Sequence, residues 1–237
     1  MRRSTRSSTI SSPSAPLARM RILVMAKYPV PGGVKTRLAR VVGAAAAAEL
    51  SAAFVGDLAE RLQELGCSVA WAFWPPDAPF ERLVPGAPCV AQQGEDLGAR
   101  LTAAVAWAFD RSQRPLAILG ADVPHVPAAG LREAEAALAG GAEVVLGPAH
   151  DGGYYLVALR APQPGLFAGV AWGGADVLAA TLARARAAGL RVHLLPPTFD
   201  VDAPADLTAL RRLLADGVVT LPRTAAVLAR FERAGVA

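Results

Sequence analysis

The stretch Arg21–Arg40, RILVMAKYPVPGGVKTRLAR, decides how the rest of the chain is read. After Arg21 come five apolar residues without alternation, the pattern of a strand covered on both faces. Two prolines and two glycines then break the pattern into a loop. A cationic run, Lys35-Thr36-Arg37, follows and leads toward a helix. A fully buried strand passing through a loop into a helix is how an alternating α/β chain begins.

The same stretch holds both lysines of the protein, Lys27 and Lys35, among 24 basic residues that are otherwise all arginine. No acid occurs before Glu49 to neutralise them. Gly32 and Gly33 let a ligand approach the main chain closely, and a compact, mobile ammonium suits phosphate. Lys27, Gly32, Gly33, Lys35, Thr36 and Arg37 therefore form a candidate phosphate-binding loop, with the free N–H groups of the following helix favouring anions. The pattern matches neither a P-loop nor G-x-G-x-x-G, so neither mechanism applies.

Outward from this loop, short apolar runs alternate with alanine-rich helical stretches. The pattern predicts strands at 21–26, 67–74, 88–91, 115–120, 142–147, 154–159 and 190–195. Helices are expected over 41–65, 96–112, 127–139, 174–188, 204–215 and 224–234. This is a mostly parallel sheet with helices on both faces, in a single domain spanning 20–237. Residues 1–19 read as a disordered tail rich in Ser and Arg, and Met20 is an alternative start.

That tail carries four arginines and no acid, so the formal charge of +4 belongs to it and the body is formally neutral. A nucleic-acid partner is not expected. No run is long and apolar enough for a membrane span, and two cysteines are too few for a disulfide framework or zinc site. The expected location is the cytoplasm.

Ligands of such sheets sit beyond the carboxyl ends of the strands. Asp122, after LAILGA, is placed there either as a hard oxygen ligand for a divalent cation or as a turn residue. Alternation puts Asp200 and Asp202 on one side of an extended segment, with one expected to bind a cation and the other to be structural. Asp206 reads as a first-turn acid. Asp151, Gly152 and Gly153 form a tight turn that could meet an acceptor. Asp96 reads first as a helix cap, His150 as a surface residue, and Tyr154 and Tyr155 as a pair facing in and out.

In order, MAKYPVPGGVKTRLA, QGEDLGARL, LGADVP, LGPAHDGGYYLVAL and FDVDAPADL resemble the DUF2064 family of the nucleotide-diphospho-sugar transferase (GT-A) superfamily. The resemblance runs from about 21 to 215. It is similar, more distantly, to 2-phospho-lactate and molybdenum-cofactor guanylyltransferases. It implies an α/β GT-A fold and a first loop wrapped around nucleotide phosphates. It also implies Mg²⁺ (or Mn²⁺) on Asp122 with Asp200 or Asp202. Gly94 and Asp96 join the nucleotide-binding set, and Lys27, Lys35 and Asp122 are the expected catalytic residues. Departures from the family pattern, at Ala121, His150 and Gly173-Gly174, fall mainly on the acceptor side.

The expected activity is Mg²⁺-dependent transfer of a nucleotidyl group from an NTP to a small phosphorylated or carboxylated acceptor, releasing pyrophosphate. The alternative is a glycosyltransferase using an NDP-sugar, which the cationic first loop and the missing Asp-x-Asp at GADVP favour less. A nucleotide-binding protein without turnover is the third reading. The acceptor and the oligomeric state are not legible.

Overall fold

The computed structural model describes residues 17, 19–233 and 235. The expected disorder of 1–19 therefore falls mostly outside the described residues. Of the described residues at its end, Leu17 is buried, and its N–H donates to the Leu65 carbonyl. The Arg19 N–H reaches the Glu135 carboxylate at 2.8 Å.

Seven strands form one sheet: β1 (Arg21–Lys27), β2 (Ser68–Trp74), β3 (Cys89–Ala91), β4 (Leu116–Gly120), β5 (Val144–Pro148), β6 (Tyr154–Leu159) and β7 (Val192–Leu194). Their order is β3-β2-β1-β4-β6-β5-β7. All neighbours are parallel except β6, which runs against both β4 and β5. Among the described residues five α-helices lie between the strands, α1 (Thr36–Val42), α2 (Ala44–Glu64), α3 (Leu97–Arg111), α4 (Ala128–Ala139) and α5 (Val177–Ala187), and two follow the last strand, α6 (Pro204–Ala215) and α7 (Pro222–Arg233).

Strand alternation sends Ile22, Val24 and Ala26 of β1 into a core shared with α2 and α4. Leu23 points the other way, into a core with α3 and α5. Because both faces are covered at the middle of the sheet, the central strands are apolar along most of their length, which is why the first one reads as an unbroken run. Tyr154 and Tyr155 also take opposite faces, yet both sit against a core, so the expectation that one faces out is corrected.

A third cluster packs α1, α2, α6 and α7 together through Leu38, Leu50, Phe54, Leu210 and Phe231. Here the expected helix over 41–65 proves to be two, broken at Gly43 with φ 86°. The first begins at Thr36, five residues earlier than the pattern suggests. This cluster fixes the first loop against the segment carrying Asp202.

Candidate functional site

Strands β2 and β3 are laid down on one side of β1, and β4 on the other. The chain thus diverges between β1 and β4, and beyond their carboxyl ends lies the crevice where open α/β sheets bind ligands. A cavity of about 600 Å³ opens there. The Ala121 N–H donates to the Met25 carbonyl at 3.0 Å, carrying the β1–β4 ladder to the edge of Asp122.

The segment after β7 is drawn to the same edge. Thr198 N–H donates to the Pro148 carbonyl, and His150 N–H to the Thr198 carbonyl. Val201 N–H then donates to the Asp122 carbonyl at 2.9 Å. Val201 is buried in the third cluster, so Asp200 and Asp202 on either side of it line the cavity. Alternation predicted this. Asp206 accepts from the Asp202 and Ala203 N–H groups at 3.1 and 2.7 Å, which makes it the helix-end acid expected.

Lys35 does not lie as a solvated loop cation. Its side chain is 1% exposed, and its Nζ donates to Asp202 Oδ1 at 2.9 Å while forming a closer ion pair with Asp122 Oδ1. Phe54 lies beneath, its ring centre 5.5 Å from Nζ. The backbone is left-handed, φ 48°, and no other non-glycine residue among those described has positive φ. That conformation costs about 1–2 kcal/mol, offset by the two ion pairs it permits. Burial works to lower the Lys35 pKa, but the charges of Asp122 and Asp202 prevail and raise it.

Asp200 is in the opposite situation. Its Oδ1 is buried without a hydrogen-bond partner. Burial first, then the charges of Asp122, Asp202 and Asp151, push its pKa up to about 7, with Lys35 partly opposing. Asp202 is engaged by Lys35, whereas the Asp200 Oδ1 is unpaired.

Among the described residues no three His, Cys, Asp or Glu side chains come together as a ready metal cage. The donor chemistry nevertheless fits Mg²⁺, which takes one or two carboxylates and completes its shell with water and substrate phosphates. Asp122 and Asp202 converge on one point, now held by an ammonium, and Asp200, which lines the same cavity, has one buried oxygen without a partner.

Lys27, Gly33, Thr36 and Arg37 line the cavity's rim, the two basic side chains and Thr36 being exposed. Gly32 has φ 79° and does not line it. Neither Gly94 nor Asp96 lines it either. Asp96 Oδ1 accepts from Ala99 N–H at 2.7 Å, capping α3. The Gly94 carbonyl accepts from Arg100 Nε at 3.0 Å. Asp151 Oδ1 accepts from Gly153 N–H, closing a turn beside the cavity. At Gly152 (φ 90°) a Cβ would stand 2.0 Å from the Ala175 carbonyl oxygen, so the turn requires glycine.

Four lining groups escaped the sequence reading. Gln92, just past β3, is buried and donates from Nε2 to the Ala26 and Ala72 carbonyls. Its position after a strand was a usable signal, the one that exposed Asp122. Arg100 lies 3.7 Å over the Trp74 ring. Tyr154 and Trp172 meet edge to face at 6.3 Å, and nothing in their spacing announces it.

The model of "Uncharacterized protein conserved in bacteria (DUF2064)" matches residues 58–174. A proposed nucleotide-diphospho-sugar transferase from Desulfovibrio desulfuricans G20 is 36% identical, over 91% of this chain and 96% of that one, with a TM-score of 0.83. A cytidylyltransferase from Leptospira borgpetersenii serovar Hardjo-bovis (strain JB197) is 12% identical over 92% and 95% of the two chains, TM-score 0.52. A 4-diphosphocytidyl-2C-methyl-D-erythritol synthase is 14% identical over 82% and 98%, TM-score 0.50. No curated protein matches the chain. The α/β fold is that of the nucleotide-diphospho-sugar transferases, as the motifs implied.

Proposed function

The chain belongs to the DUF2064 family, and on that premise we propose that it is a Mg²⁺-dependent nucleotidyltransferase. It would move a nucleotidyl group from an NTP to a small phosphorylated or carboxylated acceptor. The observation that carries this reading is the convergence of Asp122, Asp202 and Lys35 at the mouth of β1 and β4. Beside them is a cavity of about 600 Å³, within the range of small-molecule sites.

Lys27 and Arg37, exposed at the rim, would hold the triphosphate by charge-assisted hydrogen bonds. Gly33 lets the phosphates approach the loop backbone. Asp122 and Asp202 would hold Mg²⁺, with Asp200 Oδ1 as a further donor. Bound Mg²⁺ neutralises phosphate charge and polarises the phosphorus under attack. An acceptor phosphate or carboxylate oxygen would form the new bond to the α-phosphorus as the bond to pyrophosphate breaks. Such an acceptor is already ionised, so no side-chain base is needed. Arg100 on Trp74, with Tyr154 and Trp172, would border the nucleoside, and Asp151, Gly152 and Gly153 the acceptor.

Glycosyl transfer from an NDP-sugar is the second reading, favoured by the similarity to the Desulfovibrio protein. Thermal melting against NTPs and NDP-sugars, each with Mg²⁺, Mn²⁺ or EDTA, separates the two, because a ligand of the native state raises the midpoint. Metal-dependent stabilisation by an NTP, followed by acceptor-dependent pyrophosphate release, is the expected result. Stabilisation by NDP-sugars with NTPs silent would replace the first reading with the second.

A further inference from the structure

We propose that Lys35 is an internal stand-in for the divalent cation: its ammonium occupies the carboxylate pair until a triphosphate draws it away, so that metal and nucleotide enter together. The inference rests on the nucleotidyl-transfer reading and adds an order of assembly to it.

The argument begins with where the charge is. Nζ bridges Asp122 and Asp202 and is sealed from water, whereas the two carboxylate side chains are 47% and 42% exposed. A divalent cation taking the two Oδ1 atoms must displace the ammonium, and one approaching through the Oδ2 atoms meets its positive charge a few ångströms away. Displacement alone would leave an ammonium unpaired above the Phe54 ring in a buried place, which is costly. The site of a free cation is therefore closed by the chain itself.

Phosphate changes the balance. Lys35 ends the loop that joins Lys27, the last residue of β1, to Arg37 in the first turn of α1, and Lys27, Gly33 and Arg37 line the rim of the same cavity. A lysine stem with four rotatable carbons can carry its ammonium from a carboxylate to a neighbouring phosphate oxygen. The charge account then closes: the triphosphate takes the ammonium, and the vacated carboxylates take the cation that the triphosphate brings. No bond is made or broken in this exchange.

Lys35 also spends a left-handed backbone to reach inward. A loop serving only to present a cation to solvent would gain nothing from that conformation. The geometry points instead to a side chain held on the metal's ligands.

The test is Mn²⁺ binding to the full chain, followed by electron paramagnetic resonance, for wild type, Lys35→Met and Lys35→Arg. Methionine keeps the apolar contact with Phe54 and removes the charge. The expected result is that Lys35→Met binds Mn²⁺ alone at least tenfold more tightly than wild type, while Lys35→Arg stays like wild type. Lys35→Met should also melt lower in EDTA and be restored by Mn²⁺, a readout independent of activity. Equal Mn²⁺ affinity in wild type and Lys35→Met overturns the stand-in role and leaves nucleotidyl transfer standing. A Lys35→Met chain that unfolds in EDTA and is not refolded by Mn²⁺ overturns it equally. If no form binds Mn²⁺, with or without added NTPs, the metal-dependent reaction falls as well.

Discussion

Two buried charges sit at the ends of the helical cluster formed by α1, α2, α6 and α7, and they are held in contrasting ways. Asp57 of α2 is fully buried. Its two oxygens accept from the Arg223 and Thr224 N–H groups at 2.9 and 2.8 Å, capping the start of α7. Lys35 is almost as deeply enclosed but is held by two side chains that are themselves half in water. Backbone donors cannot leave without unwinding a helix. Carboxylates on solvent-facing loops can exchange one cation for another. Similar burial thus marks a structural charge in one place and an exchangeable one in the other.

The contrast breaks most readily at Asp57. Asp57→Ala strands the buried Thr224 N–H and the part-buried Arg223 N–H and removes a cap, so a loss of about 2–4 kcal/mol in stability is expected. Urea unfolding measures it, and ligand-induced shifts in melting temperature should survive in the folded fraction. A loss below about 1 kcal/mol would mean that the cap is not what holds α7.

A neutral buried group sharpens the comparison. His125 packs 4.3 Å from the Phe199 ring and meets the Thr198 hydroxyl at 3.3 Å. Burial, helped by Arg61, pushes its pKa down to about 4. The unfolded chain then binds a proton near pH 6.5 that the folded chain refuses until about pH 4. Its contribution is complete above pH 6.5 and is lost as the pH falls toward 4, on the order of 3 kcal/mol. Chemical denaturation of wild type against His125→Gln across that window should show the steeper decline in wild type. Parallel curves would remove His125 from the account.

The smallest effect on stability belongs to the rim. Lys27→Ala should change stability by less than about 0.5 kcal/mol, as for other exposed positions. It should weaken triphosphate binding by about 1–3 kcal/mol, the range for a lost charge-assisted hydrogen bond. Calorimetric titration with NTPs and Mg²⁺ measures it. An unchanged affinity would leave Arg37 and Thr36 to carry the phosphates.

How much of this could be read from residues follows the same division. The strands were legible to within a residue or two, the central ones β1, β4, β5 and β6 because both faces are covered and each appears as a largely apolar run. The alternation of Asp200 and Asp202 was legible because Val201 between them is apolar. The inward turn of Lys35 was not, since it depends on a left-handed φ at a lysine, which no propensity favours. The pairing of Asp57 with Arg223 and Thr224 spans 166 and 167 residues, and helical periodicity says nothing about contacts of that range. Gly43 was hidden inside an alanine-rich stretch that reads as one helix. Arg100 on Trp74 joins the starts and ends of two separate βα units, which only the sheet order brings together.

The reversed strand β6 also has a bearing on how such a chain can diverge. Because it runs against β4 and β5, the turn 149–153 is a hairpin tip emerging at the same edge as the ends of β1 and β4. Hairpin tips accept replacements without altering strand pairing, here at positions other than Gly152, which the approach of the Ala175 carbonyl holds as glycine. Variation confined there would reshape what the mouth presents to an incoming acceptor while the first loop and Asp122, carried on other strands, keep their register. The fold thereby separates the part that can be rewritten from the part that must be kept.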